Sequence, residues 1–180
     1  AALAAWLVTV DRMRGMDEGP GTDLGGLGWY VGVWVTMMAA MMLPSVLPMV
    51  LFYARVARER SGSAPTWLFV ASYLAVWTGF GLVAYAASRG LRSLDAGFFA
   101  WDRAGPWIAG GAIAAAGLYE LTPLKDVCLR HCRTPLHFVL HGWREGRLGA
   151  VRMGGEHGFW CVGCCWGLML ALFALGVMSL

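Results

Sequence analysis

The stretch that decides the fold is WYVGVWVTMMAAMMLPSVLPMVLFYA, residues 29–54, which contains 26 residues and no charged side chain. A bilayer-spanning helix needs roughly 20 consecutive apolar residues, so this stretch is long enough to cross a membrane. Two further uncharged runs, residues 67–88 and residues 158–180, meet the same requirement. The sequence therefore predicts an all-α fold, a polytopic bundle of membrane-spanning helices.

The whole chain has the composition of a membrane protein. Charged residues make up 14% of its 180 residues and hydrophobic residues 58%, whereas an ordinary soluble domain carries about a quarter charged residues. We predict a single transmembrane domain over residues 1–180 with about five spans. The spans are expected at residues 1–10 (part of a span), 29–54, 67–88, 104–124 and 158–180. Because the chain starts without methionine and stops inside an apolar run, we expect it to be a piece of a longer protein.

The charged residues indicate orientation rather than a nucleic-acid partner. The formal net charge is only +3, and no basic-aromatic patch is present in the sequence. Nine Lys and Arg residues lie in the loops at 55–66 and 125–156, against five in the loops at 11–28 and 89–103. Cytoplasmic loops of membrane proteins carry the excess of Lys and Arg. We therefore expect the loops at 55–66 and 125–156 to lie in the cytoplasm.

All five cysteines lie in two short segments, CLRHC at residues 128–132 and HGFWCVGCCW at residues 157–166. Residues four apart share one face of a helix, and this spacing occurs in both segments. If the segments face each other, three or four thiolates and an imidazole converge on one point. The candidate metal ligands are Cys128, Cys132, Cys161, Cys164, Cys165, His131 and His157. The predicted orientation puts them at the cytoplasmic end of their helices, where thiols stay reduced.

The apolar stretch at residues 29–54 adds candidate thioether ligands, Met38, Met41 and Met42. Thioethers bind Cu(I) and other soft ions, although methionine is also a common apolar filler. Pro44 and Pro48 each remove a backbone donor and predict kinks in this helix. We expect the three methionines to act as weaker relay ligands inside the bilayer.

The segment around Glu120 allows two interpretations. Glu120 and Lys125 could form an ion pair at the membrane interface, or the carboxylate could guide a cation toward the thiols. We predict one helix, kinked at Pro123, in which Glu120, Leu124, Cys128 and Cys132 form one stripe. We predict a basic connector over residues 133–156 and no chemistry in residues 55–103.

These ligands favour a soft metal ion. Thiolates select Cu(I), and Zn²⁺ accepts three or four Cys and His ligands, so Cu(I) is favoured and Zn²⁺ is the second candidate. The sequence has no glycine-rich phosphate-binding loop, which argues against a primary pump and favours a binding protein over an enzyme.

Two other functions remain open. Cys161-Val-Gly-Cys164 has the spacing of thiol oxidoreductases, so the chain could be a membrane thiol–disulfide oxidoreductase. The exchanging pair would be Cys161/Cys164 and the shuttle pair Cys128/Cys132. The chain could also be a structural subunit whose cysteines are incidental.

Three blocks, MMAAMMLPSVLPMVLFYARVAR, LYELTPLKDVCLRHCRTPLHF and HGFWCVGCCWGLM, resemble those of a bacterial family of uncharacterised, predicted metal-binding integral membrane proteins. This family belongs to the domain-of-unknown-function class. The resemblance covers nearly the whole chain. It implies about six spans in the full-length protein, a multi-pass location in the bacterial inner (cytoplasmic) membrane, and the five cysteines as candidate ligands. With the soft ligand set it implies a copper-related function in metal handling or tolerance. The partners would be the metal ion, the lipid bilayer and, as a candidate, a metallochaperone.

Overall fold

The computed structural model of the protein describes residues 25–60, 65–93 and 101–174, together with the isolated positions 7 and 11. This part of the chain forms six α-helices, which confirms the predicted all-α fold. They are α1 (Leu27–Arg60), α2 (Thr66–Ser93), α3 (Trp101–Glu120), α4 (Pro123–Arg133), α5 (Pro135–Gly142) and α6 (Gly146–Ala174). Apart from Leu7, the partial span predicted at residues 1–10 lies outside the described residues, as does the end of the last predicted span.

Two helices of the described chain are long and apolar enough to span a membrane, α1 and the Thr66–Gly90 part of α2. α1 is one continuous helix through both Pro44 and Pro48. Large apolar side chains on the outer faces of these helices stay exposed, among them Leu51 and Trp67. Exposed apolar surface of this kind marks a contact with lipid or with another protein.

The central helix of the bundle is α6, which packs against α2, α3 and α4, while α1 packs against α2 and α5. One stripe of α6 is buried, and its residues recur at intervals of three and four, as on one face of a helix. The stripe includes Ala150, Met153, His157, Cys161 and Cys164. The cysteine-bearing face of α6 therefore points into the bundle.

Two glycines bring α6 against α2. A β-carbon at Gly154 would overlap the backbone carbonyl of Phe69, and one at Gly158 would lie 3.1 Å from Cβ of Val76. Gly154 and Gly158 are four apart, the small-xxx-small spacing that lets two helix backbones approach closely. This spacing is visible in the sequence.

α2 also packs closely on α1, at Gly81. The indole Nε1 of Trp34 donates a hydrogen bond to the carbonyl of Trp77 at 2.9 Å, and the hydroxyl of Tyr30 donates to the carbonyl of Gly81 at 3.0 Å. A β-carbon at Gly81 would overlap the Trp34 ring. Gly81 is therefore a point of close helix approach, as Gly and other small residues are in membrane bundles.

The Thr122-Pro123 dipeptide ends one helix and starts the next. Thr122 has φ −84° and ψ 149°, an extended conformation, because the ring of a proline pushes the preceding residue out of the helical region. Pro123 then occupies the first turn of α4, where its missing N–H leaves no bond unmade. The predicted continuous stripe from Glu120 to Cys132 is therefore wrong, since Glu120 ends α3 and the cysteines lie on α4.

Most of the predicted connector over residues 133–156 is helical. A second Thr-Pro dipeptide, Thr134-Pro135, separates α4 from α5, and α6 already begins at Gly146. Gly146 has φ +73°, in the left-handed region that glycine adopts without a steric penalty. The chain uses this conformation to turn from α5 into α6.

The contact between α2 and α6 predicts opposite effects at two neighbouring glycines. Gly154→Ala should destabilise the protein by about 1–3 kcal/mol, the usual cost of overpacking a tight contact. Gly155→Ala should be neutral or stabilising by up to about 1 kcal/mol from helix propensity, because a β-carbon there would meet no atom within 4 Å. Thermal unfolding of both variants in detergent, followed by circular dichroism, measures the difference. Equal changes in the two variants would contradict the described packing.

Candidate metal centre

Three cysteine sulfurs from two helices meet beside the bundle core. Cys132 comes from α4, and Cys161 and Cys164 come from the buried stripe of α6. The three sulfur atoms all lie within 4.8 Å of one another, and the Cys132 and Cys164 sulfurs are 3.7 Å apart. The two cysteine segments therefore face each other, which the sequence analysis could state only as a condition.

These distances suit a thiolate-bound metal ion. A metal–sulfur bond of about 2.3 Å places two sulfurs about 4 Å apart in a trigonal site. The three sulfurs could therefore close around a soft ion with small side-chain rotations. Cys161 and Cys164 are buried and Cys132 is half-buried, so an ion held there would be largely shielded from water.

The remaining two cysteines lie at the edge of this three-sulfur group. The sulfur of Cys165 is 3.3 Å from that of Cys164, close enough to exchange places with it as a ligand. Cys128 lies one turn before Cys132 and packs on α6 where Gly163 has no side chain, since a β-carbon at Gly163 would be 3.0 Å from its sulfur. Neither cysteine belongs to the three-sulfur group.

Tyr73 of α2 contacts the group, although the sequence analysis predicted no chemistry in this part of the chain. Its hydroxyl oxygen lies 3.2 Å from the sulfur of Cys161, and the residue is 1% exposed. A single tyrosine in an apolar helix belongs to no sequence motif that would mark it as part of a site. Only the pairing of α2 with α6 places it beside the thiols.

The two candidate histidines lie outside the three-sulfur group. His131 is exposed and stacks on Trp160 at 4.1 Å, with its Nδ1 2.8 Å from the carbonyl oxygen of Val127. A carbonyl oxygen can only accept, so Nδ1 is the donor in this contact. His157 is buried among aromatic rings, and its Nδ1 has no hydrogen-bond partner within the described chain.

The three candidate methionines lie in the helix core. Met38 and Met42 are buried in the same apolar cluster as Cys161, and Met41 is half-buried against that cluster. Their helix, α1, packs on α2 and α5. Their position in a shared core is also what apolar filler would show, so their role as relay ligands stays a prediction.

Glu120 forms an ion pair with Lys125 across the turn between α3 and α4, the pairing that the first of its two interpretations predicted. Its second oxygen, Oε1, is buried without a hydrogen-bond partner in the described residues. The ion pair fixes the turn that carries α4 toward α6.

The proton on Cys132 links metal binding to pH. Hydrogen bonding with Cys161 raises the pKa of the Cys132 thiol to about 12, so this thiol keeps its proton at neutral pH. A thiolate, not a thiol, binds a metal ion, and metal binding releases the proton. Acid conditions should therefore oppose metal binding at this site.

The fold and the cysteine cluster together define a class of protein: all-α proteins with a cluster of three cysteines that could bind copper. The particular family follows from the sequence, because the profile of the PpoB2 family, described as a copper chaperone, matches residues 31–180. The chain therefore belongs to the PpoB2 copper chaperone family. This result confirms the predicted resemblance to a metal-binding family and names its metal. Neither the curated proteins nor the solved structures contain a match to the chain.

The geometry predicts unequal roles for the two cysteines of α4. Cys132→Ser should weaken Cu(I) binding at least about 100-fold, since even the partners of metal ligands contribute about 10–100-fold to affinity. Cys128→Ser, one turn away, should change the affinity by less than about threefold, because Cys128 lies outside the group. Competition with a Cu(I)-specific chelator measures both values. Equal losses in the two variants would mean that α4 sits in a different register on α6.

Proposed function

We propose that the protein binds Cu(I) as its cargo and acts in copper handling or tolerance, with Cys132, Cys161 and Cys164 as the ligands. The observation that carries this proposal is the convergence of three sulfurs from two helices within 4.8 Å. Membership of a copper chaperone family supports copper as the ion. A chaperone must release its cargo, and half-buried Cys132 gives the site one side from which an acceptor could approach.

The number of ligands favours Cu(I) over Zn²⁺. Cu(I) selects soft thiolates, whereas structural zinc sites are almost always tetrahedral with four ligands. The group supplies three sulfurs, and zinc would need a fourth. Cys165 is the nearest described candidate, with its sulfur 3.3 Å from that of Cys164, so zinc remains the second candidate ion.

The other predicted ligands would serve entry and exit of the ion. Cys128 lies one turn from Cys132, and exposed His131 lies between them in sequence, with its Nδ1 bound to the carbonyl of Val127. These two residues could accept an ion from a metallochaperone or pass it on. The weaker donors, which we propose as secondary or relay ligands, are Cys165, His157, Met38, Met41 and Met42.

We place this site in a multi-pass protein of the bacterial inner membrane. We propose that the two candidate spans are part of about five spans in this chain and about six in the full-length protein. Exposed apolar residues on α3 and α6, such as Trp107, Leu118 and Phe159, support contact with lipid. With the loops at 55–66 and 125–156 in the cytoplasm, the thiols face a reducing compartment and stay available to the metal.

One contact favours the alternative function, a membrane thiol–disulfide oxidoreductase. The sulfurs of Cys132 and Cys164 are 3.7 Å apart across two helices, so this pair could exchange with an external disulfide. The sequence instead suggested Cys161/Cys164 and Cys128/Cys132 as the pairs. We rank this function second because a third sulfur shares the site, as a metal would require.

The metal content of the purified protein tests the proposal. Reduced protein in detergent is loaded with Cu(I) or with Zn²⁺, freed of unbound ions, and analysed by mass spectrometry for metal and for oxidised thiols. We expect about one copper per chain, as one three-thiolate site requires. The Cys132→Ser/Cys164→Ser double variant should lose this copper, and Cys128→Ser should keep it.

Each other outcome has a defined meaning. If the protein retained zinc in preference to copper, Zn²⁺ would take the place of Cu(I) as the proposed cargo. Absence of metal together with a pair of oxidised thiols would contradict metal handling and favour the oxidoreductase.

A further inference from the structure

Tyr73 stands out as the polar side chain at the three-sulfur group that no motif indicates. It is 1% exposed and lies in an apolar region of α2, one turn from Phe69 and one turn from Trp77, both fully buried. A hydroxyl at such a position needs a hydrogen-bond partner. Its partner is the sulfur of Cys161, 3.2 Å away.

The backbone holds this hydroxyl in place. Gly158 of α6 packs directly on Tyr73, since a β-carbon there would lie 3.2 Å from the Tyr73 carbonyl oxygen and 3.4 Å from its Cα. Cys161 follows Gly158 by one helical turn on the same buried stripe. The ring of Tyr73 also lies 5.9 Å from that of His157, so side chains of α6 limit its movement. The close approach of two helices therefore determines the distance from the hydroxyl to the sulfur.

Metal binding fixes the direction of the hydrogen bond between Tyr73 and Cys161. In the metal-free site either atom can donate the proton, because both the hydroxyl and the thiol carry one. A metal-bound Cys161 is a thiolate and can only accept, so Tyr73 becomes the donor. Cys164 lies within hydrogen-bond distance of the backbone carbonyl of Cys161, to which its thiol donates.

We propose that Tyr73 is a positioning residue that holds Cys161 as the third thiolate of the Cu(I) site. Three thiolates around one Cu(I) leave an excess of negative charge in an apolar core, and buried charge is unfavourable unless hydrogen bonds compensate it. The Tyr73 hydroxyl donates to the buried sulfur of Cys161 and keeps its rotamer directed at the ion. Without this donor, Cys132 and Cys164 would hold the ion as a two-sulfur site.

This inference rests on the proposed function, because it assumes that the three-sulfur group binds Cu(I). According to this inference, the number of sulfurs bound to Cu(I) depends on the Tyr73 hydroxyl, which is not itself a ligand. Hydrogen-bonded partners of metal ligands commonly contribute about 10–100-fold to metal affinity. The effect of losing Tyr73 should lie in this range and should depend on Cys161.

The test compares Tyr73→Phe with Tyr30→Phe in the Cu(I)-loaded protein. Tyr30 is the matched control, since its buried hydroxyl donates to the carbonyl of Gly81 between α1 and α2, away from the cysteines. X-ray absorption at the copper edge gives the number of sulfurs bound to copper, and chelator competition gives the affinity. Wild type and Tyr30→Phe should show about three sulfurs per copper, and Tyr73→Phe should show about two with about tenfold weaker binding.

A double-mutant cycle separates positioning from a general structural effect. In a Cys161→Ser background, Tyr73→Phe should have no further effect on affinity, because its partner is gone. An unchanged sulfur number and affinity in Tyr73→Phe would overturn the inference and leave Cu(I) binding intact. An equal loss with and without Cys161 would overturn it too. If the wild type bound no Cu(I), the proposed function itself would fail, which is a different result.

Discussion

Glycine at the contact faces of α6 is the constraint on which the arrangement of the bundle depends. Gly154 and Gly158 lie against α2, Gly163 lies against the Cys128 side chain of α4, and Gly167 lies against α3. A side chain at the first two positions would push α2 away from α6. Three helices can therefore surround the cysteine-bearing stripe of α6 at short distance.

The chemistry of the site follows from this close packing and from two helix breaks. Because α2 touches the backbone of α6, the hydroxyl of Tyr73 reaches Cys161. Because the Thr-Pro dipeptides separate α4 from α3 and from α5, α4 can turn its Cys132 toward Cys164. An unbroken helix from α3 could not change direction at this point. Local backbone chemistry therefore places one ligand, and tertiary packing places the other two.

The sequence was sufficient for the helical fold and for the set of cysteines that could meet. Helical spacing identified Cys161 and Cys164 as neighbours on one face, and the clustering of all five cysteines pointed to a site. Spacing alone could not separate Cys132 from Cys128, because residues four apart share a face and only the register of α4 on α6 distinguishes them. Tyr73 was missed for a similar reason, since its role exists only through a contact with residue 161. At Pro123 the local signal was present, but sequence alone does not decide between a kink and a break.

The central claim is that α4 and α6 bring Cys132 beside Cys164, and thiol trapping tests it most directly. The other three cysteines are replaced by serine, leaving this pair, and the protein is treated briefly with a thiol oxidant. Digestion and mass spectrometry then measure the disulfide-linked peptide, alongside a matched protein that retains only Cys128 and Cys164. The sulfur distance of 3.7 Å predicts fast linkage of Cys132 to Cys164 and much slower linkage in the Cys128 protein. Equal rates in the two proteins, or no linkage of Cys132, would contradict the account.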